Sequence, residues 1–130
     1  MRTSLHPQLG RILTDAQGRT LYLFTNDRPN TSTCVDACAR AWPPLLTTAP
    51  PVAGEGLNPA LLGTTRRPEG TLQVTYHGWP LYYYAADTAP GEARGQGVGD
   101  VWFVLSPAGQ PLGARPTPTP TSTPEPGYTY

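Results

Sequence analysis

Two stretches of this 130-residue chain repeat one another at a constant spacing of sixty residues, Gly10 to Gly70. Gly10–Asp27 reads GRILTDAQGRTLYLFTND and Gly70–Asp87 reads GTLQVTYHGWPLYYYAAD. They align without a gap: Gly18 on Gly78, Leu21 on Leu81, Tyr22 on Tyr82, Phe24 on Tyr84 and Asp27 on Asp87. The same offset carries Trp42 onto Trp102 and Leu45 onto Leu105. Units this short cannot each bury a core, so one domain of two similar packed halves is expected. Any site is then either doubled or lies between the halves. The repeated aromatics acquire an architectural reading before a chemical one.

Composition narrows the class. Seventeen Pro and fourteen Gly argue against long helices, and the Thr, Tyr and Val residues favour strands. The formal net charge is zero, which leaves no electrostatic footprint for nucleic acid or an anionic membrane. All nine basic residues are Arg, so Schiff-base and lysine-base chemistry are excluded. No apolar run approaches the roughly 20 residues of a membrane span. The first ten residues, MRTSLHPQLG, lack the apolar core of a signal peptide, which points to a cytosolic chain or a mature or trimmed exported one.

Each copy reads as a hairpin. Residues 11–15 and 19–24 flank a turn at Asp15-Ala16-Gln17-Gly18, and 71–76 and 79–84 flank His77-Gly78. The second strand sets Leu21 and Leu23 against Tyr22 and Phe24, so both of its faces are expected to be covered. Cys34–Trp42 has room for about two helical turns before Pro43-Pro44 stops it. Residues 47–69 read mostly as loop, with a helical turn at Pro59–Leu62. Thr88–Asp100 is a Gly-rich loop, and Val101–Leu105 is a closing strand before the Ser106-Pro107-Ala108-Gly109 turn. The expected architecture is therefore all-β with one short helix: a domain over 1–113, with repeat units at about 10–45 and 70–105, and a tail over 114–130. Within the tail, RPTPTPTSTPEP cannot make a core and is expected as extended polyproline II. Gly127-Tyr128-Thr129-Tyr130 alternates like a strand with no partner of its own.

The residues able to carry chemistry are few. Cys34 and Cys38 are the only cysteines and read first as a disulfide in an oxidising compartment. A metal pair and a redox dithiol are the alternatives. The first lacks imidazoles at finger spacing, since only His6 and His77 exist, and the second needs a spacing one residue shorter. The motif Tyr22/Phe24/Asp27, repeated as Tyr82/Tyr84/Asp87, offers two carboxylates near phenols that suit a cation or a sugar. An Asp just after a strand more often caps the next turn through backbone N–H groups. Acid–base catalysis by the two would require them within about 10 Å of each other. Trp42 and Trp102 read as core because the repeat equates them, and Trp79, after its turn, as exposed. Gly91–Gly99 lacks a phosphate-loop lysine, and no nucleophile elbow is present. No catalytic residue, metal site or cofactor is expected. Asn30-Thr31-Ser32 is a formal N-glycosylation sequon, and Thr117, Thr119, Thr121, Ser122 and Thr123 are candidate O-glycan acceptors.

GRILTDAQGRTLYLFTND, CVDACARAWPPL and QVTYHGWPLYYYAAD, with the GQG and VWFVL that follow, together resemble the secreted repeat of unknown function family. Its members are also described as predicted bacterial lipoproteins with a Yx(F/W/Y)xxD motif. The resemblance spans about residues 8–112. It implies export to the bacterial cell surface, often with a lipid anchor, and a Cys34–Cys38 bond. It supplies no catalytic residues. The chain departs from the family's usual layout in lacking a signal and lipobox and in its Pro/Thr tail. The functional expectation is a secreted structural or interaction protein that self-associates head to tail. Tyr128, Thr129 and Tyr130 would add to a neighbour's sheet edge, with the proline segment as spacer. The alternatives are a monomeric lipoprotein binding a small ligand, sugar or metal between the repeats, and a redox protein using Cys34 and Cys38.

Overall fold

The computed structural model describes residues 1–54 and 56–112. Strand β1 (Arg2–His6) pairs antiparallel with β2 (Gly10–Thr14) in a two-stranded ribbon, Arg2 opposite Thr14 and His6 opposite Gly10. The chain turns at Asp15–Gly18, where Gly18 takes a φ of 86° and donates its N–H to the Asp15 carbonyl. It returns past a Thr14–Thr20 bridge into β3 (Tyr22–Phe24). A five-residue helix α1 (Ala37–Ala41) and the short strand β4 (Leu46–Thr47) complete the first half.

The second half repeats the plan. After a 3-10 turn at Pro59–Leu61, β5 (Leu62–Arg66) pairs with β6 (Leu72–Tyr76), which turns at His77-Gly78 into β7 (Trp79–Pro80). A second 3-10 turn, Val98–Asp100, precedes β8 (Trp102–Val104).

The halves then interlock. Strand β3 pairs with β8 of the other repeat, Tyr22 opposite Val104 and Phe24 opposite Trp102. The reciprocal contact sets Tyr82 opposite Pro44, flanked by Leu45 N–H to the Leu81 carbonyl and Tyr83 N–H to the Pro43 carbonyl. Between these two joints Tyr22 and Tyr82 exchange backbone bonds in both directions, at 2.8 and 3.0 Å. A local two-fold therefore runs between these two tyrosines, and each repeat supplies the strand that closes the other.

These central strands divide the interior in two. Leu21, Leu23, Leu81, Leu13, Val74, Tyr76, Phe103 and Leu105 form an aliphatic core on one face. Tyr22, Tyr82, Trp42, Trp102, Ile12, Val104 and Cys34 form an aromatic core on the other. The alternation in LYLF thus covers the strand on both faces, as its two apolar sets predict.

Five expectations need correction. Residues 62–66, read as loop, are β5, and the first residues, given no element, supply β1. Both are edge strands, half-exposed or exposed along their length, and Leu5 is 70% accessible, so neither carries the alternation that betrays a strand. The helix expected over Cys34–Trp42 is confined to Ala37–Ala41, because Asp36 sits at a φ of 56° and cannot begin a helix earlier. The expected second strand of the second hairpin stops short: β7 ends at Pro80, Leu81 still donates to the Val74 carbonyl while its own carbonyl takes the Leu45 N–H, and residues 82–83 pair with Tyr22 and Pro43 instead. Trp79 is half-buried against the aliphatic core rather than exposed. The expected tail, with the acceptors Thr117, Thr119, Thr121, Ser122 and Thr123 and the assembly residues Tyr128, Thr129 and Tyr130, lies outside the described residues.

Candidate functional site

The repeated motif comes together across the two-fold. Tyr22 donates its phenol proton to Asp87 Oδ2 at 2.5 Å, and Tyr82 donates to Asp27 Oδ2 at 2.8 Å. Each tyrosine bonds the carboxylate of the opposite repeat. The second oxygen of each carboxylate folds its own loop: Asp27 Oδ1 accepts the Thr33 backbone N–H and hydroxyl, and Asp87 Oδ1 accepts the Arg94 N–H. These are the turn-capping bonds expected of an Asp that follows a strand. Each loop in turn offers a donor to the phenol: Gly95 N–H reaches Tyr22 Oη at 3.1 Å, and the Ser32 hydroxyl reaches Tyr82 Oη.

All four groups are buried. Burial and the adjacent Asp87 push the Tyr22 phenol well above its ordinary range. Burial is also the main cause for Tyr82, pushed up to about 12. Burial lifts the Asp27 carboxyl above its ordinary value, while Thr33, Tyr82 and Arg67 oppose that shift. A buried carboxylate that accepts three hydrogen bonds has little capacity left for a ligand.

Around these pairs the aromatics form a continuous stack. Phe24 lies on Trp102 at 4.2 Å between centroids, Trp102 on Trp42 at 3.8 Å and Trp42 on Tyr84 at 4.0 Å. The two indoles are parallel to within 1°. Tyr22 meets Trp42 edge-on at 5.4 Å and Tyr82 meets Trp102 edge-on at 5.2 Å. The stack obeys the same two-fold, since Phe24 and Tyr84 are equivalent positions, as are Trp42 and Trp102. Gly95 is required beside it: a Cβ there would stand 2.7 Å from the Trp42 ring and 3.0 Å from that of Tyr22.

Cys34 and Cys38 are joined in a disulfide that staples the loop before α1, with Cys34 fully buried. The Cys34 carbonyl accepts from Arg67, a 3% accessible guanidinium that also bonds Ser32 Oγ, Gln73 Oε1 and Glu69. Sequence reasoning missed Arg67 and Gln73. Arg67 lies just before the repeated stretch, and position 7, sixty residues earlier, is Pro; Gln73 lies within it but aligns with Leu13, so the repeat gave neither a polar partner. Asp15 was seen only as a turn residue, yet its Oδ2 accepts the Tyr83 hydroxyl. Asn30, the sequon residue, is exposed with a φ of 57° and is anchored through its backbone to Gly78 and Thr65. His6 and His77 sit apart at turns, His6 accepting the N–H groups of Gln8 and Leu9. Among the described residues no three His, Cys, Asp or Glu side chains are placed to hold a metal ion.

Fold and site together define a duplicated β module whose halves are locked by reciprocal tyrosine–carboxylate bonds. The family profile of a secreted repeat of unknown function matches it twice, over residues 3–46 and 63–106, at the spacing of the internal duplication. The chain belongs to that family, which gives it an extracellular setting. No curated protein and no solved structure matches it. Among the described residues no helix is long and apolar enough to cross a membrane.

Proposed function

We propose that this chain is a secreted, non-catalytic structural module that associates with further copies of itself through its Pro/Thr-rich C-terminal segment, which carries O-linked sugars. The observation that supports this reading is the fate of the repeated motif. Both Asp side chains and both Tyr hydroxyls are buried and spent on holding one repeat to the other. A chain whose most reactive residues act as internal fasteners has invested in a rigid unit, and function then falls to what the unit displays. Here that includes the acceptor-rich segment Thr117–Thr123 and the aromatic end Tyr128–Tyr130.

Residues 1–112 hold both cores, so deletion of Pro116–Tyr130 leaves the module folded. Electron microscopy of the full chain from its native source, beside the deleted form, decides the matter. Filaments or sheets only with the segment intact are the expected result. Dispersed particles from both forms would remove the assembly reading and direct attention to small ligands between the repeats.

A further inference from the structure

The aromatic core has an electronic consequence that packing alone does not require. Facing indoles normally slide apart or turn edge-on, because their negative π-faces repel. Here Trp42 and Trp102 are held parallel at 3.8 Å, with Phe24 and Tyr84 continuing the stack on either side. The same negative faces that repel each other attract positive charge. A one-electron vacancy shared over two overlapping indoles is therefore lower in energy than one confined to a single ring. Beside each indole stands the other readily oxidised side chain, a phenol, and a phenol yields an electron easily only if its proton has somewhere to go. Tyr22 and Tyr82 satisfy that condition, because each ring contacts an indole and each hydroxyl already points its proton at a carboxylate oxygen.

We propose that the four-ring stack and its two Tyr–Asp pairs form a radical relay that takes up one-electron oxidising equivalents from oxidising radicals at the surface. The half-buried rings of Phe24 and Tyr84 end the stack and give the oxidant its approach. The oxidant removes one electron from the Trp42–Trp102 pair and is itself reduced, leaving a shared indole radical cation. Tyr22 then passes an electron to that cation while its O–H bond breaks and the proton moves to Asp87 Oδ2. The products are neutral indoles, a neutral phenoxyl radical and a neutral carboxylic acid, so charge and atoms balance. Tyr82 and Asp27 perform the same step on the other side of the two-fold. A one-electron reductant of the thiol or enediol class returns the electron through the stack, and the carboxylic acid returns the proton to the phenolate.

The test is flash photo-oxidation of the full chain with a ruthenium tris-bipyridine complex and a cobalt(III) quencher, followed by transient absorption. The expected result is an indole radical that decays as a tyrosyl radical grows in, with the growth slowed in heavy water. In a Tyr22→Phe/Tyr82→Phe variant the indole radical persists and this growth is lost. Tyr83→Phe is the control: Tyr83 also bonds a carboxylate, Asp15, but its ring is in none of the contacts that build the stack. That variant should behave as the parent chain does. Growth unchanged in the double variant, or without a heavy-water effect, overturns the proposal. If the double variant does not fold, high-field electron spin resonance of the Tyr83→Phe chain, which lacks the other carboxylate-bonded phenol, decides instead. A hydrogen-bonded tyrosyl supports the relay, and one without a hydrogen bond defeats it.

Discussion

The loop of the first repeat and the loop of the second do the same job with different chemistry. Both leave a strand through an Asp that caps them, and both deliver a donor to the phenol of a buried tyrosine. In the first repeat a disulfide, a helical turn and the Arg67 guanidinium hold the loop. In the second, Gly91, Gly97 and Gly99 supply positive φ values, and no covalent bond is made. Fastening there falls to Gln96, which accepts the Val104 N–H and donates to the Leu112 carbonyl, and to Glu92, which accepts the Thr88 N–H. What the two-fold axis touches has stayed the same, and what lies away from it has been free to diverge.

The harshest way to break this comparison is alkaline pH, which attacks both repeats at their shared joint. The Tyr82 phenol in the fold titrates at about 12 against 10.0 when free, so its contribution is complete below pH 10 and drains away as pH climbs through about 12. Tyr22 and Tyr83 are shifted the same way, chiefly by burial. Ultraviolet absorbance of tyrosinate should show these residues ionising together with loss of near-ultraviolet dichroism. Gradual ionisation with the fold intact would mean that the phenols are not locked.

Next in size, Trp42→Ala and Trp102→Ala should each cost about 3–5 kcal/mol in denaturant titrations, and by similar amounts, because each removes one inner ring of the same stack. A large inequality would show that the two-fold is geometric but not energetic. Removing the disulfide with Cys34→Ala/Cys38→Ala sharpens the contrast. A loop of five residues constrains the unfolded chain by about 2 kcal/mol. Hydrogen exchange should accelerate around 34–42 and not around 95–102. Smallest of all, Thr33→Ala removes the hydroxyl bond to Asp27 and leaves the backbone one, so that Asp27 is held as Asp87 already is. A loss of about 1 kcal/mol is expected in the same titrations. A larger loss would mean that the hydroxyl organises the whole loop.

The sequence announced the duplication, the two-sided LYLF strand, the turn at Gly18 and the capping role of the aspartates, because each rests on local spacing or on a residue type with one dominant use. The edge strands were silent for a physical reason: residues 62–66 hold Leu62 and otherwise Gly, Thr and Arg, and an edge needs no apolar alternation to pair. The crossing of Tyr22 to Asp87 was equally hidden. The motif places Tyr22 and Asp27 five residues apart, which invites a local reading, and only the exchange of strands between the halves makes the partner the distant one. Arg67 carried no signal either, since nothing in RRPEG separates a buried guanidinium from an exposed one.

The exchange of closing strands bears on how such a chain is made and how it can be divided. A single repeat lacks the strand that finishes it and cannot be a folding intermediate of native form. The decisive contacts join residues about eighty positions apart, such as Tyr22 and Val104, so folding is expected to be slow for a chain of this size. It also follows that peptide continuity through 48–58 is dispensable once both halves exist. Two fragments cut there and mixed should find one another and rebuild both cores. Two intact chains at high concentration could trade halves in the same manner.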